Sequence, residues 1–547
     1  MAKQITEEQI DLIVERLIDR VEKANTKYLT SIGSSIKEIR KLKPSQAQQL
    51  VQILKYGGKY EDIIKEIAKY TNLNIQDIDA IFSNYAKKDQ LFYEKFYKYK
   101  DIPYVPFDEN TALKTQTMAL SNVVKNEMYN FTRNNVLGYT INGKFFNLRD
   151  TYNELLDTAL LNVGQGKETF DSAMTDIMKQ IGGSGLKTIN YASGRSMRLD
   201  SAVSMNLKAR LRELHNENQK IIGEEIDADG YEISVHSNPA IDHEKVQGRQ
   251  FSIEEYDKLN SGLEAKDYKG KTYTLDHDHK NGYRPISELN CYHYIFSIVL
   301  GVSKPEYSDK QLKEIIDNNE KGFEFEGKHY TNYEGTQLQR MLERRIREQK
   351  DTQTLAKSSG NEFLAGESQN KITALTRKYK ELSDISGLPT KMQRLKVSTY
   401  RRSASATKTY QSEINKHKVG EFDITKYTNE IKPTTNDVVF MPDRIEKNDF
   451  KHPKDKIYYE KIPEILNNPN QVYIERGKYN NTIWLIKEID GEKVQAIVKI
   501  NSTTLYQEKQ LGYKNSIIHI HRIREKYLEN KNKKGELELL FDNKNKK

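Results

Sequence analysis

The sequence predicts a multidomain chain: a mostly α-helical N-terminal region, a small α+β module in the middle, and a C-terminal α+β domain with a small antiparallel sheet. Three observations support this fold class. The chain has 547 residues, which is too many for one compact core. Apolar residues recur at helical spacing near the N-terminus, whereas the C-terminal part alternates like strands around a hairpin signal. We expect four regions, at residues 1–195, 196–350, 351–430 and 431–547.

Amphipathic helices are expected at the start of the chain. Thr6 and Gln9 form a capping-box pattern, and the apolar residues that follow recur at i, i+3, i+4 and i+7, which places them on one helix face. These residues are Ile10, Ile13, Val14, Leu17, Ile18 and Val21. A second helix is predicted between Pro44 and Gly57, and "YEDIIKEIAKY" and "NIQDIDAIFSNYA" repeat the pattern. We interpret this region as a helical packing region.

Composition limits the classes of function. The net charge is +9, but 78 acidic residues are interspersed with 87 basic ones, so nucleic acid is only weakly indicated as a partner. One cysteine excludes an internal disulfide framework and multi-cysteine zinc ribbons. The N-terminal "AKQITEEQ" has no apolar signal segment, and no apolar run reaches membrane-spanning length. We therefore expect a soluble protein made in a cytoplasm, without a membrane partner.

Five of the eleven histidines and the only cysteine lie between residues 233 and 300. His236 and His243 flank the turn "SNPAID", and Cys291 and His293, two residues apart, would project to one side of an extended segment. These four side chains could hold a tetrahedral zinc ion that staples a domain poor in apolar residues. The alternative is a hydrogen-bonded or packed cluster in a small α+β core, and the sequence leaves both open.

The segment "LDHDHKNGYRPISELNC" is similar to the histidine-rich turn of the recombination endonuclease VII nucleases. Those enzymes need two cysteine-pair zinc knuckles, which Cys291 alone cannot supply. A calcium loop is also excluded, because His277, His279 and Asn281 stand where acidic ligands are required. We predict a polar hairpin at residues 276–282 without a catalytic role.

An ordered series of short motifs links the N-terminal region to the histidine and cysteine cluster. They lie at Gly166 to Ala173, Tyr191 to Arg195, Asp200 to Val203, Ser234 to His236, His243 to Gly248 and Asn290 to His293, followed by "YEGTQLQRMLERRIREQK". This series resembles the phage minor capsid protein 2 family, relatives of the Mu F-like head morphogenesis proteins, over roughly residues 1 to 400. Ile241 and Val246 depart from the family pattern, which usually has an arginine and an aromatic residue there.

The resemblance implies a capsid module that attaches to the portal inside the head and helps assembly or genome delivery. Residues 351–430, which follow, are charged and rich in serine and threonine, with Gly387 and Pro389 as helix breakers. A solvated linker helix is the favoured interpretation. The alternative is a basic face that contacts packaged double-stranded DNA through phosphates, without reading its sequence.

Composition changes again after residue 430. "YYEKIPEIL" predicts a helix, and "NTIWLIKEI" and "KVQAIVKI" predict strands joined at Asp490 and Gly491, with "NSIIHIHRI" as a third. The region resembles phage-encoded members of the barnase/EndoU/colicin/RelE-like ribonuclease superfamily. The shared segments are His452-Pro453, Ile462 to Pro469, Ile486-Lys487, Val498 to Ile500 and Lys514 to Ile518, with His519 where that superfamily often has threonine.

The resemblance implies metal-independent RNA cleavage, which needs a base, an acid and cations that stabilise the phosphorane. His452 and His519 could exchange protons near neutral pH, and His519 and His521 would share one side of a strand. The remaining candidates are Lys487, Lys499 and Lys514 for phosphate charge, and Asn515 and Ser516 for orientation. The alternative is a β-domain with ordinary surface lysines and histidines.

The two resemblances together imply a phage minor capsid protein that is associated with the portal and carries a ribonuclease-like effector domain. The alternative is a polymorphic-toxin-type ribonuclease for which the virion is the delivery vehicle. Expected partners are the portal and other head proteins, packaged DNA, host RNA and a cognate immunity protein. We expect the protein inside the capsid near the portal, and then in the bacterial cytoplasm, with structural zinc as its only candidate cofactor.

Overall fold

Long helices and a small sheet form the first part of the chain. The computed structural model describes residues 7–40, 59–131, 136–141, 143–148, 170–190, 194–275, 284–287, 291–397, 400–402, 408, 412, 414–476, 481–500 and 515–543. The first elements are α1 (Glu7–Arg40), α2 (Lys59–Tyr99), α3 (Thr111–Phe131), β1 (Leu137–Ile141), β2 (Lys144–Asn147), α4 (Phe170–Ser184), β3 (Lys187–Asn190), β4 (Arg195–Arg198) and α5 (Leu199–Glu225). The strands form an antiparallel sheet in the order β2-β1-β3-β4.

The predicted apolar face of α1 is confirmed where its side chains are described. Val14, Leu17 and Val21 are buried, and they share a core with Phe82 of α2 and Leu113 of α3. The two apolar segments predicted after residue 59 belong to the single helix α2, because no glycine or proline interrupts them. The helix predicted between residues 44 and 57 lies outside the described residues.

A small α+β unit follows α5. Its elements are β5 (Gly230–Ile233), β6 (Gln250–Ser252), α6 (Ile253–Asn260), β7 (Ala265–Lys266), β8 (Thr272–Tyr273), β9 (Ile295–Ile298), α7 (Asp309–Lys321), β10 (Phe323–Phe325) and β11 (Lys328–Tyr330). The antiparallel sheet β6-β5-β9 covers a small core around Ile233, Phe251 and Leu259. His215 of α5 ties β9 to the helix, since its Nε2 lies 3.0 Å from the Ile295 carbonyl oxygen.

Two long helices then return to the N-terminal core: α8 (Asn332–Ser358) and α9 (Glu362–Ser386), followed by a 3-10 turn at Met392–Leu395. A capping box of Thr331 and Glu334 begins α8, which runs without a break through residue 350, where we expected a boundary. Leu364, Ile372 and Tyr379 of α9 are buried. This part of the expected solvated linker is therefore packed, because its apolar residues share one face despite its many charges.

The C-terminal part contains a seven-stranded sheet. Its elements are β12 (Lys418–Glu421), a 3-10 turn (Ile424–Lys426), β13 (Asp437–Val439), α10 (Pro442–Lys451), a 3-10 segment (Pro453–Lys461), α11 (Ile462–Asn467), β14 (Gln471–Glu475), β15 (Thr482–Ile489), β16 (Glu492–Lys499), β17 (Asn515–Arg522), α12 (Glu525–Lys533) and β18 (Leu537–Asp542). The strand order is β12-β13-β17-β16-β15-β14-β18.

This sheet is larger than the sequence indicated, and it is mixed rather than purely antiparallel. Only the β13 and β17 pair is parallel among the described strands. β12 begins at Lys418, inside the expected linker. The predicted hairpin is confirmed: Ile489 pairs with Glu492, and Asp490 and Gly491 between them have φ of 52° and 80°.

A buried charge network holds the N-terminal helices together. Arg198 donates to Asp351 of α8 at 2.8 Å and to Asp200 of α5 at 3.2 Å. Arg347 also pairs with Asp200, and Asn25 of α1 donates to Asp351 at 3.2 Å. All the charged groups except Arg347 are at least nine-tenths buried. The network thus connects α1, α5 and α8 through Asn25 and a set of mostly buried charges.

Candidate functional site

The histidine and cysteine cluster lies where the connection from β5 to β6 meets the segment that enters β9. Residues 241–248 form a series of turns, and residues 291–294 lead directly into β9. The structure brings His243, Cys291 and His293 together, with one ligand atom of each within 4.8 Å of the others. Their exposed fractions are 0%, 1% and 3%. These three residues could hold a metal ion.

Hydrogen bonds fix the two imidazole rings of this cluster. His243 Nε2 lies 2.7 Å from the Arg284 carbonyl oxygen, and His293 Nε2 lies 3.3 Å from Gln247 Oε1. The Nδ1 atoms of both rings face Cys291, at 3.4 Å and 3.5 Å from its Sγ. Each ring therefore has one nitrogen directed at an acceptor of the protein and the other directed at the sulfur.

The charges within the cluster are coupled. Burial alone would raise the pKa of the Cys291 thiol, but the hydrogen bond and charge of His243 outweigh it, and the pKa is lowered. Burial lowers the pKa of His243, but Cys291 and Asp242 outweigh this effect and raise it. Burial and the charges of His236 and His243 hold the pKa of His293 well below its usual value. The surroundings therefore shift Cys291 toward its thiolate form, His243 toward its protonated form and His293 toward its neutral form.

His236, the fourth predicted ligand, lies beside this cluster and is not part of the three-residue group. Its ring packs edge to face on His293, with centres 4.6 Å apart. Its Nε2 contacts the Tyr292 carbonyl oxygen, and its backbone N–H donates to Gln247 Oε1 at 2.9 Å. The structure therefore brings three of the four predicted residues into ligand geometry and places the fourth against them.

A second cluster lies on one face of the C-terminal sheet. The opposite pairs along β16 and β17 are Gln495 with His521, Ile497 with His519, and Lys499 with Ser516. Alternate residues of β16 share a face, and so do directly opposite residues of two antiparallel strands. Lys499, Ser516, His519 and His521 therefore point to the same side of the sheet.

A β-bulge creates this arrangement. Ser516 and His519 are three residues apart, which in a regular strand would place them on opposite faces. The pairing shifts between Ile497 and Val498, so that Ile518 has no opposite residue. The prediction that His519 and His521 share a face is confirmed, and the bulge adds Ser516 to them.

His452 joins this face from the C-terminal end of α10. Its ring stacks on that of His521, with centres 3.9 Å apart and an interplanar angle of 4°. The His519 ring is 6.4 Å from His452 and 6.3 Å from His521. Burial, with the charges of His452 and His519, lowers the pKa of His521 to about 4. The His521 ring is therefore neutral near pH 7.

The anchor for His452 is Asn448, which is fully buried. Its side chain donates to the carbonyl oxygen of Ile520 at 2.9 Å and accepts from the N–H of Ile520 at 3.0 Å. β13 pairs with β17 only at Asn515 and Ser516. The two bonds from Asn448 therefore provide partners for the backbone N–H and carbonyl groups of Ile520, which lies beyond that pairing. They hold the end of α10, and with it His452, against the strand that carries the other two histidines.

Lys499 and Ser516 also line a cavity of about 590 Å³ between the sheet and helices α4, α8 and α9. Basic side chains dominate the charged lining: Lys179, Lys187, Arg345, Lys371, Arg444 and Lys499, against Glu348 and Glu367. Six basic and two acidic residues give the lining an excess of positive charge. Such a cavity favours anionic ligands.

Lys487 and Asn515 do not belong to this face. Lys487 is opposite Val494, on the other side of the sheet, and its Nζ donates to the Asn468 carbonyl oxygen at 2.8 Å. Asn515 is fully buried and donates to the Thr435 carbonyl oxygen at 2.8 Å. Both side chains therefore make hydrogen bonds within the C-terminal domain, away from the face that carries the histidines.

Other predicted features also lie outside the described residues. They are Lys514, the polar hairpin at residues 276–282 with His277 and His279, and the motif positions Gly166, Tyr191 and Asn290.

A sequence model of the family described as phage minor capsid protein 2 matches residues 5–384. The chain belongs to this family. The protein is therefore a phage minor capsid protein with a role in head morphogenesis, its partners are other head proteins, and its location is the virion. No curated protein and no solved structure matches it. Within the part of the chain that the structure describes, no helix is long and apolar enough to cross a bilayer.

Only one of the two side-chain clusters of the minor capsid protein lies within the residues that match the family. His243, Cys291 and His293 lie inside it, whereas the seven-stranded sheet with its histidines lies beyond residue 384. The family match thus covers the first cluster alone. The similarity of the C-terminal part to ribonucleases stays a prediction.

Sequence reasoning missed three residues that shape the clusters: Arg284, Asn448 and Gln495. Gln495 Nε2 lies 2.7 Å from His521 Nε2, and the other two make the contacts described above. Their partners are 26 to 72 residues away along the chain. No local motif could reveal these contacts, because each depends on how distant segments pair.

Proposed function

We propose that the minor capsid protein attaches to the portal inside the head and carries its C-terminal domain as a metal-independent ribonuclease effector. The observation that supports the enzymatic part most directly is the convergence of three histidines on one sheet face. They come from two separate elements, and the face also presents Lys499 and Ser516. Host RNA is the proposed substrate.

The geometry suggests separate roles for the histidines. His521 Nε2, whose lone pair faces the Gln495 amide at 2.7 Å, accepts the proton of the 2′-hydroxyl once the bound RNA takes the place of that amide. His519, whose ring is 6.3 Å from that of His521 on the same face of the sheet, donates a proton to the leaving oxygen of a phosphodiester group bound over the two rings. His452 stacks on His521 and, as a neighbouring basic group, helps keep its pKa low. His452 is therefore a positioning residue.

The cationic cavity supplies the positive charge that RNA cleavage also requires. Phosphorane charge develops during cleavage and needs nearby cations. Lys499 and Arg444 line the cavity on the side of the sheet, and lysines of α4 and α9 line the other side. An RNA strand entering beside the histidines would meet these groups with its phosphates. The same surface could contact packaged DNA without reading its sequence.

The enzymatic proposal is tested with the full chain and a single-stranded RNA in the presence of a chelator. We expect cleavage by the natural protein and a loss of about 10²- to 10⁴-fold in His519→Gln and His521→Gln. His329→Gln changes an exposed histidine of another unit and serves as the matched control. Absence of cleavage by the natural protein, or equal rates in all four proteins, would refute the proposal.

A toxin that uses the virion only as a vehicle is the second candidate. The C-terminal sheet favours it, because this sheet has its own hydrophobic core and lies outside the family match. Expression of the full chain in the host should then stop growth unless a cognate immunity protein is present, and His519→Gln should restore growth. Growth arrest that persists in His519→Gln would exclude this mechanism.

The attachment proposal has a separate test. Portal protein purified from infected cells should retain the chain, and variants of the N-terminal core should lose this association while those of the C-terminal sheet keep it. Failure of the natural chain to associate with the portal would contradict the proposal.

A further inference from the structure

The acceptor atoms of the histidine and cysteine cluster converge on one point. His243 Nδ1 and His293 Nδ1 both face Cys291 Sγ, at 3.4 Å and 3.5 Å. The three residues are buried, so no bulk water can satisfy these atoms. They come from two segments 48 residues apart, which the sheet β6-β5-β9 brings together.

The outer hydrogen bonds determine which ring nitrogens carry protons. A carbonyl oxygen can only accept, so His243 Nε2 must donate to the Arg284 carbonyl. The amide of Gln247 is oriented by the backbone N–H of His236, which donates to its Oε1. His293 Nε2 must therefore donate to the same oxygen. In neutral rings, both Nδ1 atoms then present lone pairs to the sulfur.

Two nitrogen lone pairs then face the sulfur, and the cysteine thiol has only one proton to place between them. A single shared proton can lie between the sulfur and one ring, but it cannot serve both rings. A cation at the centre of the three atoms serves all of them. The outer contacts of His243 and His293 match the usual pattern in which a metal-binding imidazole donates its other N–H to a carbonyl oxygen.

The two distances between Cys291 Sγ and the histidine nitrogens also fit a tetrahedral zinc ion. Tetrahedral zinc with Zn–S near 2.3 Å and Zn–N near 2.05 Å requires a sulfur to nitrogen separation of about 3.5 Å. The two observed separations are 3.4 Å and 3.5 Å. One thiolate with two imidazoles is a normal donor set for zinc, whereas calcium and magnesium prefer oxygen ligands.

We propose that His243 Nδ1, Cys291 Sγ and His293 Nδ1 bind one Zn²⁺ ion. Binding replaces the proton shared by Cys291 and His243, which is released to solvent. The ion fastens residues 241–248 to the segment entering β9. It thereby stabilises the α+β unit around the sheet β6-β5-β9, whose hydrophobic core is small. This site is independent of the proposed ribonuclease.

The test uses the full chain, purified without a histidine tag and incubated with zinc, followed by dialysis and elemental analysis. We expect one zinc per chain in the natural protein and less than about a tenth in Cys291→Ser and His293→Gln. His329→Gln, which alters an exposed histidine, should keep one zinc per chain. His236→Gln should also keep it, because three ligands remain.

Cobalt provides a readout that needs no variant. The natural protein loaded with Co²⁺ should show a thiolate-to-cobalt charge-transfer band and the intense visible bands of a tetrahedral site. Circular dichroism of each variant shows whether lost zinc reflects lost ligands or lost folding. A natural protein that binds no zinc after incubation, or a cobalt spectrum without the thiolate band, would overturn the proposal. So would full zinc content in folded Cys291→Ser.

Discussion

Replacing Glu22 of α1 by glutamine should remove a pH dependence from the stability of the N-terminal core. Burial, followed by the charge of Asp200, raises the pKa of Glu22 from 4.5 to about 8. Between these two values the folded protein holds a proton that the unfolded chain has released. The free energy of unfolding must therefore fall as pH rises through this window.

The size of the effect follows from the shift. One pKa unit corresponds to about 1.4 kcal/mol, so the shift of Glu22 from 4.5 to about 8 corresponds to about 5 kcal/mol when titration is complete. Between about pH 5.5 and pH 8 we expect a loss of about 3 kcal/mol, because the carboxyl is only half titrated at the upper end. Glutamine does not titrate, so Glu22→Gln should lack this loss.

Urea unfolding followed by circular dichroism of the helices measures the effect at both pH values. The only tryptophan, Trp484 in β15, reports on the C-terminal sheet in the same samples and should not respond to Glu22→Gln. Between the lower and the higher pH, the stability of the variant relative to the natural protein should increase by about 3 kcal/mol. Equal pH dependence in the two proteins would refute the assignment of the buried proton to Glu22.

Three further predictions concern other buried groups. Arg198→Met leaves Asp351 without its cation and should cost about 3–5 kcal/mol in helix unfolding; a cost below about 1 kcal/mol would contradict a buried network. Asn448→Ala removes both bonds to Ile520 and should cost about 2–3 kcal/mol, seen by tryptophan fluorescence; an unchanged urea midpoint would contradict this. The pKa of His521, lowered from 6.5 to about 4, means that the C-terminal sheet loses about 2 kcal/mol as pH falls through this range, after allowance for partial exposure. His521→Gln should flatten this acid loss, and identical acid profiles would count against it.

Local patterns predicted the elements that depend on local physics. The apolar spacing of α1 and the two-residue hairpin at Asp490 and Gly491 can be read from neighbouring residues, because helix faces and tight turns are set within a few positions. The burial of α9 was not predicted. Its charges suggested a solvated helix, whereas Leu364 and Tyr379 pack into the core.

The sequence indicated most of the residues that form the candidate sites, but only part of their arrangement in space. The pairing of Cys291 with His293 follows from their spacing, but the approach of His243 depends on the sheet that joins distant segments. In β17 the bulge at Ile518 turns Ser516 toward the histidines, and strand pairing places Lys487 on the opposite face. Neither a bulge nor a strand neighbour is encoded in a short motif, because both depend on register.

Peptide mapping of purified phage particles by mass spectrometry most directly tests whether one chain is both a head component and the carrier of the C-terminal domain. We predict peptides from residues 7–386 and from residues 414–543 in the same particles, at equal abundance and in a fixed ratio to the portal protein. Particles that contain only the N-terminal peptides would contradict carriage of the effector domain. Particles that contain neither set would contradict the assignment to the virion.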